Sequence, residues 1–207
     1  MSSKPLLFIV RHGHTDLNSR APKLRAWVDV PLNEEGEIDA QMAANKLAKY
    51  NPQMLYHSDL MRDTQTANII SQMLGNIPFE PDFRFRTADM GELSGQPENE
   101  VRERVLRWYQ NPFEKAPGGE SYTNFLNRFM EGIEEKLEIA RSCEAFCPTV
   151  VVAHGRNLAA LHSVYAMIPP EQADMALPGG IAVIRSNPDG LDSFEFLDGT
   201  EPVQEDV

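Results

Sequence analysis

Two short stretches of the chain carry an imidazole directly after a run of apolar, strand-forming residues. Leu6-Leu7-Phe8-Ile9-Val10 leads into Arg11-His12-Gly13-His14-Thr15, and Thr149-Val150-Val151-Val152-Ala153 leads into His154-Gly155. Runs of this composition are typical of buried strands. In open α/β sheets, ligands bind in the crevice beyond the carboxyl ends of the strands. If the two strands are parallel neighbours, we expect the two imidazoles to share one rim.

A further charged group is expected at the same rim. Met54-Leu55-Tyr56-His57 predicts a short strand, and Ser58 and Asp59 open the helix that follows. Arg62 lies in the first turn of that helix and therefore faces the same crevice. A cation in a first turn opposes the helix dipole, which favours an anionic partner for this arginine.

The residue types that converge on this rim suit phosphoryl chemistry. Arginine offers bidentate donors to phosphate oxygens and stays charged, and a neutral imidazole can attack phosphorus and hold a covalent intermediate. The spacing His12-x-His14 also occurs in metal-dependent hydrolases, and His57 and His154 would complete a set of four histidines. The adjoining arginines would repel a divalent cation, so we expect no metal and no cofactor.

Composition and charge narrow the class of protein. The 207 residues are 42% hydrophobic and 24% charged, as in ordinary globular proteins, and no apolar run approaches the roughly 20 residues that span a bilayer. The formal net charge of −12 argues against nucleic acid or an anionic membrane as a partner. A small phosphorylated substrate would have to be attracted by local cations. The two cysteines, Cys143 and Cys147, indicate neither a disulfide framework nor a zinc ribbon, so we expect a cytoplasmic protein. The oligomeric state stays open.

The alternation of strands and helices predicts one domain over residues 1–207, with a mostly parallel sheet covered on both faces. The segment from about 87 to 145 is expected to be a helical excursion that partly roofs the crevice. The predicted elements after the first strand are a helix from Glu34 capped by Asn33, the strand Met54–His57 with its helix, a short strand within 77–85, a helix around Val101 to Tyr109, a long helix from Tyr122 to Ala140, the strand Thr149–Ala153 with its helix, and a strand pair at 179–184 and 193–197.

Two further expectations concern the surface. Ile38 and Met42 are expected on the inward face of the first helix, together with Ala43, Leu47 and Tyr50. The acidic residues 201–207 are expected to form a solvated tail.

Five ordered blocks of the chain resemble the histidine phosphatase superfamily in its phosphoglycerate mutase-like branch, and the resemblance covers most of the sequence. The first block matches the signature R-H-G-x-[ST] and continues as T-x-x-N. The five blocks are Arg11 to Asn18, Trp27 to Gly36, Ser58 to Ala67, Gly118 to Ser121 and Val151 to Gly155.

The resemblance implies that His12 is the nucleophile that becomes phosphorylated, and that Arg11, Arg62 and His154 complete the phosphate pocket. The implied fold is a three-layer α/β/α sandwich with a mostly parallel central sheet. The implied chemistry uses no metal.

Other residues of the matching blocks are candidates for substrate contacts. Asn18 is a candidate contact to the phosphate, and Gly155 is a candidate substrate-binding residue. Thr15 is either such a contact or a local helix cap. His14 is interpreted as a pocket-wall or surface residue.

The chain departs from the family pattern where a proton-donating glutamate is usual. Thr87 occupies that position when the glycines of the block are aligned, and a threonine cannot protonate a leaving alkoxide at neutral pH. Asp89 is the first candidate to replace the glutamate, and Glu92 is the second.

Three functions are therefore considered. The first is a metal-independent phosphomonoesterase that acts through a phosphohistidine. The second is a phosphoglycerate mutase, which the short chain disfavours. The third is a catalytically weak phosphate-binding or regulatory protein, which the threonine at the donor position suggests.

Overall fold

The computed structural model describes residues 4–18, 22–143, 147–187 and 191–202. Strands and helices alternate along most of this length. In chain order the elements are β1 (Lys4–Arg11), α1 (Glu34–Leu47), β2 (Met54–His57), α2 (Met61–Met73), β3 (Phe79–Pro81), α3 (Glu98–Gln110), α4 (Tyr122–Ser142), β4 (Thr149–Ala153), α5 (Gly155–Ala166), β5 (Asp174–Ala176), β6 (Ile181–Ser186), β7 (Asp192–Phe196) and β8 (Thr200–Pro202).

The main sheet has the strand order β3-β2-β4-β1-β6-β7. Strand β4 lies between β1 and β2 and is parallel to both, and β3 is parallel to β2. The late pair β6 and β7 continues the sheet in antiparallel fashion. The mostly parallel sheet flanked by helices confirms the predicted α/β/α sandwich.

Strand β1 is buried on both faces of the sheet. Leu7 and Ile9 belong to an apolar cluster formed with α3, α4 and α5, whereas Phe8 and Val10 belong to a second cluster formed with α1 and α2. All four side chains are fully buried. This alternation explains why the strand reads as a continuous apolar run, since a central parallel strand has no solvent-facing side.

The register of the parallel strands places the two histidine motifs side by side. Arg11 pairs with Ala153, so that His12 and His154 each follow directly on a paired residue. The backbone N–H of His12 donates to the carbonyl of Ala153 at 2.9 Å, and that of Ser58, after β2, donates to Val152 at 3.0 Å. Three strand ends therefore open on the same edge.

The prediction of which residues of α1 face inward is wrong in part. Ile38 and Met42 are 56% and 52% exposed, and the buried positions carry mainly small residues. The helix approaches the first histidine motif so closely that a Cβ atom on Gly36 would lie 2.0 Å from the carbonyl oxygen of His14. Because only small side chains fit at this distance, the larger residues of α1 lie outside the contact.

Helices α3 and α4 lie between β3 and β4 along the chain, as the sequence predicted. Ser121 caps α4 by accepting a hydrogen bond from the N–H of Asn124. The inward stripe of α4, with Phe125, Phe129 and Ile133, packs on the sheet side that carries Leu7.

The prediction of a solvated tail over residues 201–207 is wrong for the first residues of that segment. Strand β8 pairs with β5 in a small antiparallel sheet, and Glu201 lies opposite Met175. The Glu201 carboxylate is partly buried because it forms an ion pair with Arg11. Residues 203–207 lie outside the described part of the chain.

Candidate active site

The ends of β1 and β4 bring the two predicted histidines together. The ring centroids of His12 and His154 are 5.2 Å apart, and the rings meet edge to face. Both side chains are almost fully buried, at 1% and 3% exposure. The sequence expectation of two imidazoles on one rim therefore matches the geometry.

Arg62 connects the two imidazoles to a neighbouring loop. Its Nε donates to Nε2 of His12 at 3.2 Å, and its Nη2 lies 3.3 Å from Nδ1 of His154. The same guanidinium donates to the carbonyls of Val28 and Ala26, both at 2.9 Å. Arg62 is itself buried. The first-turn arginine is thus placed where the sequence predicted.

These contacts define the tautomer of each imidazole. Nδ1 of His12 lies 2.7 Å from the carbonyl oxygen of Gly13, and a carbonyl can only accept, so the proton is on Nδ1 and Nε2 carries a lone pair. Nδ1 of His154 faces an arginine donor, so its proton is on Nε2, which lies 3.1 Å from Oγ of Ser58.

Both imidazoles are kept neutral. Burial and, after it, the nearby Arg62 guanidinium lower the pKa of His12 and of His154 well below the usual value of 6.5. The neighbouring His154 also lowers the pKa of His12, and the charge on Arg25 lowers the pKa of both imidazoles. The Nε2 atom of His12 is therefore unprotonated at neutral pH, and its lone pair accepts the hydrogen bond from Nε of Arg62.

Arg11 lies on the other side of the rim. Its Nη1 donates to the carbonyl of Ala176 at 2.6 Å and to Oε1 of Glu201, whereas its buried Nε has no hydrogen-bond partner among the described residues. A Cβ atom on Gly155 would lie 3.2 Å from the guanidinium carbon of Arg11 and 2.7 Å from the sulfur of Met175. Because Gly155 has no side chain, the guanidinium of Arg11 fits in the space beside it.

The remaining residues of the first motif contact the site in different ways. Asn18 lines the cavity, and its Oδ1 accepts from the backbone N–H and the hydroxyl of Thr15. Thr15 is buried and is not part of the cavity wall, so it supports Asn18. His14 lies in the wall, and its Nδ1 is 2.6 Å from a carboxylate oxygen of Asp39.

The structure does not bring the expected proton donor to the cavity. Oδ1 of Asp89 accepts a hydrogen bond from the N–H of Gly91, and neither Asp89 nor Glu92 lines the described cavity. This turn packs so closely that a Cβ atom on Gly91 would lie 2.1 Å from the carbonyl oxygen of Pro117. Thr87, in contrast, does line the cavity.

The backbone of Thr87 is held from two sides. Its carbonyl accepts from Nη2 of Arg128 at 2.7 Å and from the indole N–H of Trp27 at 2.8 Å. Arg128 is in turn paired with Glu120 at 2.6 Å. A side chain at position 87 therefore has a fixed direction toward the cavity.

The cavity has a volume of about 720 Å³ and includes residues that the sequence analysis did not select. Helix α3 supplies one wall, with Val105 and Tyr109, and the segment after β5 supplies another. Charged residues that the sequence analysis did not select also line it. They are Arg25, Asp39, Glu98, Arg102, Arg156 and Glu201.

Asp63, also not selected, is a buried acid behind the imidazole of His154. Its side chain is fully buried, and neither carboxylate oxygen has a hydrogen-bond partner among the described residues. Oδ2 lies 3.4 Å from Nε2 of His154 and 3.8 Å from Nε of Arg62. Burial raises the pKa of Asp63 well above 3.8, in spite of the opposing effect of Arg62.

The arrangement of the histidines and acids does not favour a metal site. No group of three His, Cys, Asp or Glu side chains in the described ranges is arranged to hold a metal ion. His57, part of the four-histidine alternative, instead places its Nδ1 2.7 Å from the carbonyl oxygen of Ser58.

Known proteins place this site in a family. A sequence profile of the histidine phosphatase superfamily (branch 1) matches residues 7–191, and the chain belongs to this superfamily. A 2,3-bisphosphoglycerate-dependent phosphoglycerate mutase of Cytophaga hutchinsonii is 32% identical over 177 residues, covering 81% of this chain and 80% of the relative.

Other relatives are named as phosphatases. A glucosyl-3-phosphoglycerate phosphatase of Mycolicibacterium vanbaalenii is 29% identical over 170 residues, covering 79% of this chain and 75% of the relative. A mycobacterial glucosyl-3-phosphoglycerate phosphatase solved with VO3 superimposes with a TM-score of 0.77 at 25% identity, covering 94% of this chain and 98% of that one. The superfamily therefore includes similar mutases and phosphatases. In the described part of the chain, no helix is long and apolar enough to cross a membrane.

We predict that His12 and His154 stay neutral when the pH falls from 7.5 to 6. Their folded pKa values lie below 6.5, so each gains a proton only at lower pH. NMR of the imidazole nitrogens should show no titration of these two rings in that interval. The control is the chain unfolded in urea, where histidines titrate near 6.5. A midpoint at or above 6.5 in the folded protein would contradict the prediction.

We predict that Asp63→Asn stabilises the protein, and that the gain grows as the pH rises above about 3.8. The unfolded Asp63 ionises near pH 3.8 whereas the folded one ionises only at higher pH, so the wild type loses stability as the pH rises from 3.8 toward the folded pKa. The gain in the free energy of unfolding should reach about 1–3 kcal/mol at pH 7.5. Urea denaturation at pH 4.5 and 7.5 measures it.

Asp59→Asn is the matched control for Asp63→Asn. The ion pair with Arg86 lowers the pKa of Asp59, so this substitution should cost stability at pH 7.5, with a smaller effect as the pH falls. If Asp63→Asn follows the same trend as the control, Asp63 is an ionised partner of Arg62.

Proposed function

We propose that this protein is a metal-independent phosphomonoesterase that acts through a phosphohistidine on His12. One observation carries the proposal: Nε2 of His12 is unprotonated and lies in a cavity lined by arginines. A lone pair in such surroundings suits attack on the phosphorus of an anionic ester.

The proposed reaction has two displacements at phosphorus. Nε2 of His12 attacks, the P–N bond forms and the P–O bond to the alcohol breaks. Water then attacks the phosphohistidine, the P–N bond breaks, and inorganic phosphate leaves. Arg11 and Arg62 stabilise the charge on the phosphoryl oxygens, as preorganised donors do in phosphoryl transfer. His154 completes the pocket by accepting from Arg62 through Nδ1, which holds that guanidinium beside His12.

The supporting residues have defined parts in this scheme. Asn18, fixed by Thr15, is a further phosphate contact. Gly155 gives Arg11 the room for its guanidinium, whose buried Nε is free to donate to a phosphoryl oxygen.

Hydrolysis is favoured over a mutase reaction by the size of the cavity. Its volume of about 720 Å³ is in the range that encloses ligands of drug size, and a three-carbon phosphoacid would leave much of it to water. A mutase must keep water away from the phosphohistidine while the substrate reorients. The similarity to phosphoglycerate mutases keeps that activity as the second candidate.

Whether the leaving group can receive a proton depends on the carboxylates of the cavity wall. Among the described residues these are Asp39, Glu98 and Glu201. Asp39 is paired with His14, and Glu201 with Arg11. Glu98 favours the charged form of Arg25. Since two of the three carboxylates are paired and the third favours a neighbouring cation, we propose that the leaving group departs without an acid, as a phenolate can.

We predict that rapid quenching during turnover of para-nitrophenyl phosphate traps phosphate on His12. The label should be acid-labile and alkali-stable, as a P–N bond is, and His12→Ala should abolish it. Addition of a chelator should not reduce labelling or turnover, because the arginines supply the positive charge. Mass spectrometry locates the label, and calorimetry with inorganic phosphate checks that the variant still folds and binds.

A label on serine or aspartate, or turnover by His12→Ala, would contradict the phosphohistidine mechanism. Transfer of the label to a phosphoglycerate acceptor rather than to water would favour the mutase. Binding of phosphate without any label would favour the weak phosphate-binding protein.

We predict that Thr87→Glu raises turnover of alkyl phosphates relative to aryl phosphates. The side chain at position 87 faces the cavity, and a positioned acid contributes on the order of 10² to 10⁴ in rate for a basic leaving group. Thr87→Gln is the control of similar size without a proton to give. If instead Asp89→Asn slows alkyl but not aryl substrates, Asp89 is the proton donor after all.

A further inference from the structure

His14 lines the cavity with an imidazole whose two nitrogens differ. Nδ1 lies 2.6 Å from Oδ2 of Asp39. A carboxylate can only accept a hydrogen bond, so Nδ1 carries the ring proton and Nε2 carries the lone pair. Nε2 itself makes no hydrogen bond or ion pair with the described residues. The cavity wall therefore contains an imidazole base whose lone pair is free.

Helix α1 and the residue that caps it fix the position of this ring. Oδ2 of Asp39 also accepts from the backbone N–H of His14 at 2.9 Å, and the carbonyl of His14 accepts from the N–H of Asn33 at 3.1 Å. The helix packs closely on the same peptide, since a Cβ atom on Gly36 would lie 2.0 Å from that carbonyl oxygen. An imidazole base that is oriented by a carboxylate is the arrangement found in catalytic triads.

Water has access to His14, in contrast to the two buried imidazoles of the rim. The side chain of His14 is 28% exposed. His12 lies two residues earlier in the chain, which limits the separation of the two Cα atoms to about 7 Å, and both side chains line the same cavity. This closeness suits His14 to act on a water molecule that attacks a phosphoryl group on His12.

The other basic groups in the described part of the cavity wall are already engaged. Nδ1 of His154 accepts from an arginine, and the carboxylate of Glu201 is paired with Arg11. The negative charge of Glu98 favours the charged form of a neighbouring arginine. Thr87 supplies a hydroxyl group, which is not a base at neutral pH. His14 is therefore the group in this wall that is best placed to accept a proton.

We propose that His14, oriented by Asp39, is the general base for hydrolysis of the phosphohistidine. The inference rests on the proposed function, which supplies the phosphoryl group on His12. Nε2 of His14 takes a proton from water while the water oxygen attacks phosphorus. The new P–O bond forms, the P–N bond breaks, His12 recovers its lone pair, and inorganic phosphate leaves. His14 then releases the proton to solvent. In the interval the Asp39 carboxylate faces the positive charge on the ring, as the aspartate of a triad does.

A pulse-chase experiment measures this step directly. The enzyme is labelled briefly with radioactive para-nitrophenyl phosphate and chased with an excess of unlabelled substrate, and rapid quenching follows the decay of the phosphohistidine. His14→Gln should slow the decay on the order of 10²-fold, because a positioned general base contributes roughly 10² to 10⁴ in rate. The ratio kcat/KM should stay unchanged, because it reports the steps up to formation of the phosphohistidine. The values of kcat and KM should therefore fall together.

Two further variants accompany His14→Gln. Asp39→Asn keeps the imidazole, but its amide can donate to Nδ1, which places the ring proton on Nε2 and removes the free lone pair. The decay should therefore slow in this variant too. His162→Gln is the matched control, because His162 is 24% exposed and lies 4.0 Å from the carboxylate of Asp174 but does not line the cavity. Its phosphohistidine should decay at the rate of the wild type.

The outcomes separate the role of His14 from the proposed function. Decay of the phosphohistidine at the wild-type rate in His14→Gln would overturn the base and leave the phosphohistidine in place. A fall in kcat/KM as large as the fall in kcat would also overturn it, because His14 would then act in binding or in the first displacement. If the wild type forms no phosphohistidine, both proposals are wrong. Thermal unfolding checks that His14→Gln is folded, and if it is not, the decay in Asp39→Asn decides.

Discussion

The site depends on the burial of one cation, the Arg62 guanidinium, at the point where three strands end. Its donors reach both imidazoles and the carbonyls of the loop at residues 26–28. A buried charge is costly unless its hydrogen bonds are satisfied. By satisfying them, the protein fixes the lone pair of His12, the tautomer of His154 and the path of the loop in a single arrangement. The positions of the side chains around the cavity follow from this one requirement.

Charge is distributed unevenly as a consequence. The chain carries a formal net charge of −12, yet five arginines line the cavity among the described residues. Low-dielectric walls focus the field of such a cluster into the opening. An anionic ligand is therefore repelled by much of the surface and attracted at one place. The global charge, taken by itself, gives little information about what this site binds.

The sequence was sufficient for those features that local pattern and parallel pairing determine. Apolar runs followed by histidine predicted β1 and β4, and the rule for parallel strands predicted that His12 and His154 meet. The sequence was insufficient for features that are determined by contacts between residues far apart in the chain. The path of the loop after Arg25 depends on carbonyls bound by Arg62, and the Asp89 carboxylate accepts from the N–H of Gly91, a residue packed closely against residues 117–119. The exposure of Ile38 follows from the close contact of Gly36 with the first motif, which helical periodicity does not reveal.

The ion pair between Arg11 and Glu201 joins residues 190 positions apart and ties strand β8 to the first motif. It also creates a thermodynamic linkage. If an anion took the Nη1 donor of Arg11, it would displace the Glu201 carboxylate, and ligand occupancy and the docking of β8 would then oppose one another. Such coupling is reciprocal: whatever holds β8 in place weakens the ligand by the same factor by which the ligand loosens β8. In that case the end of the described chain would take part in the binding equilibrium, although it lies far from the histidines in sequence.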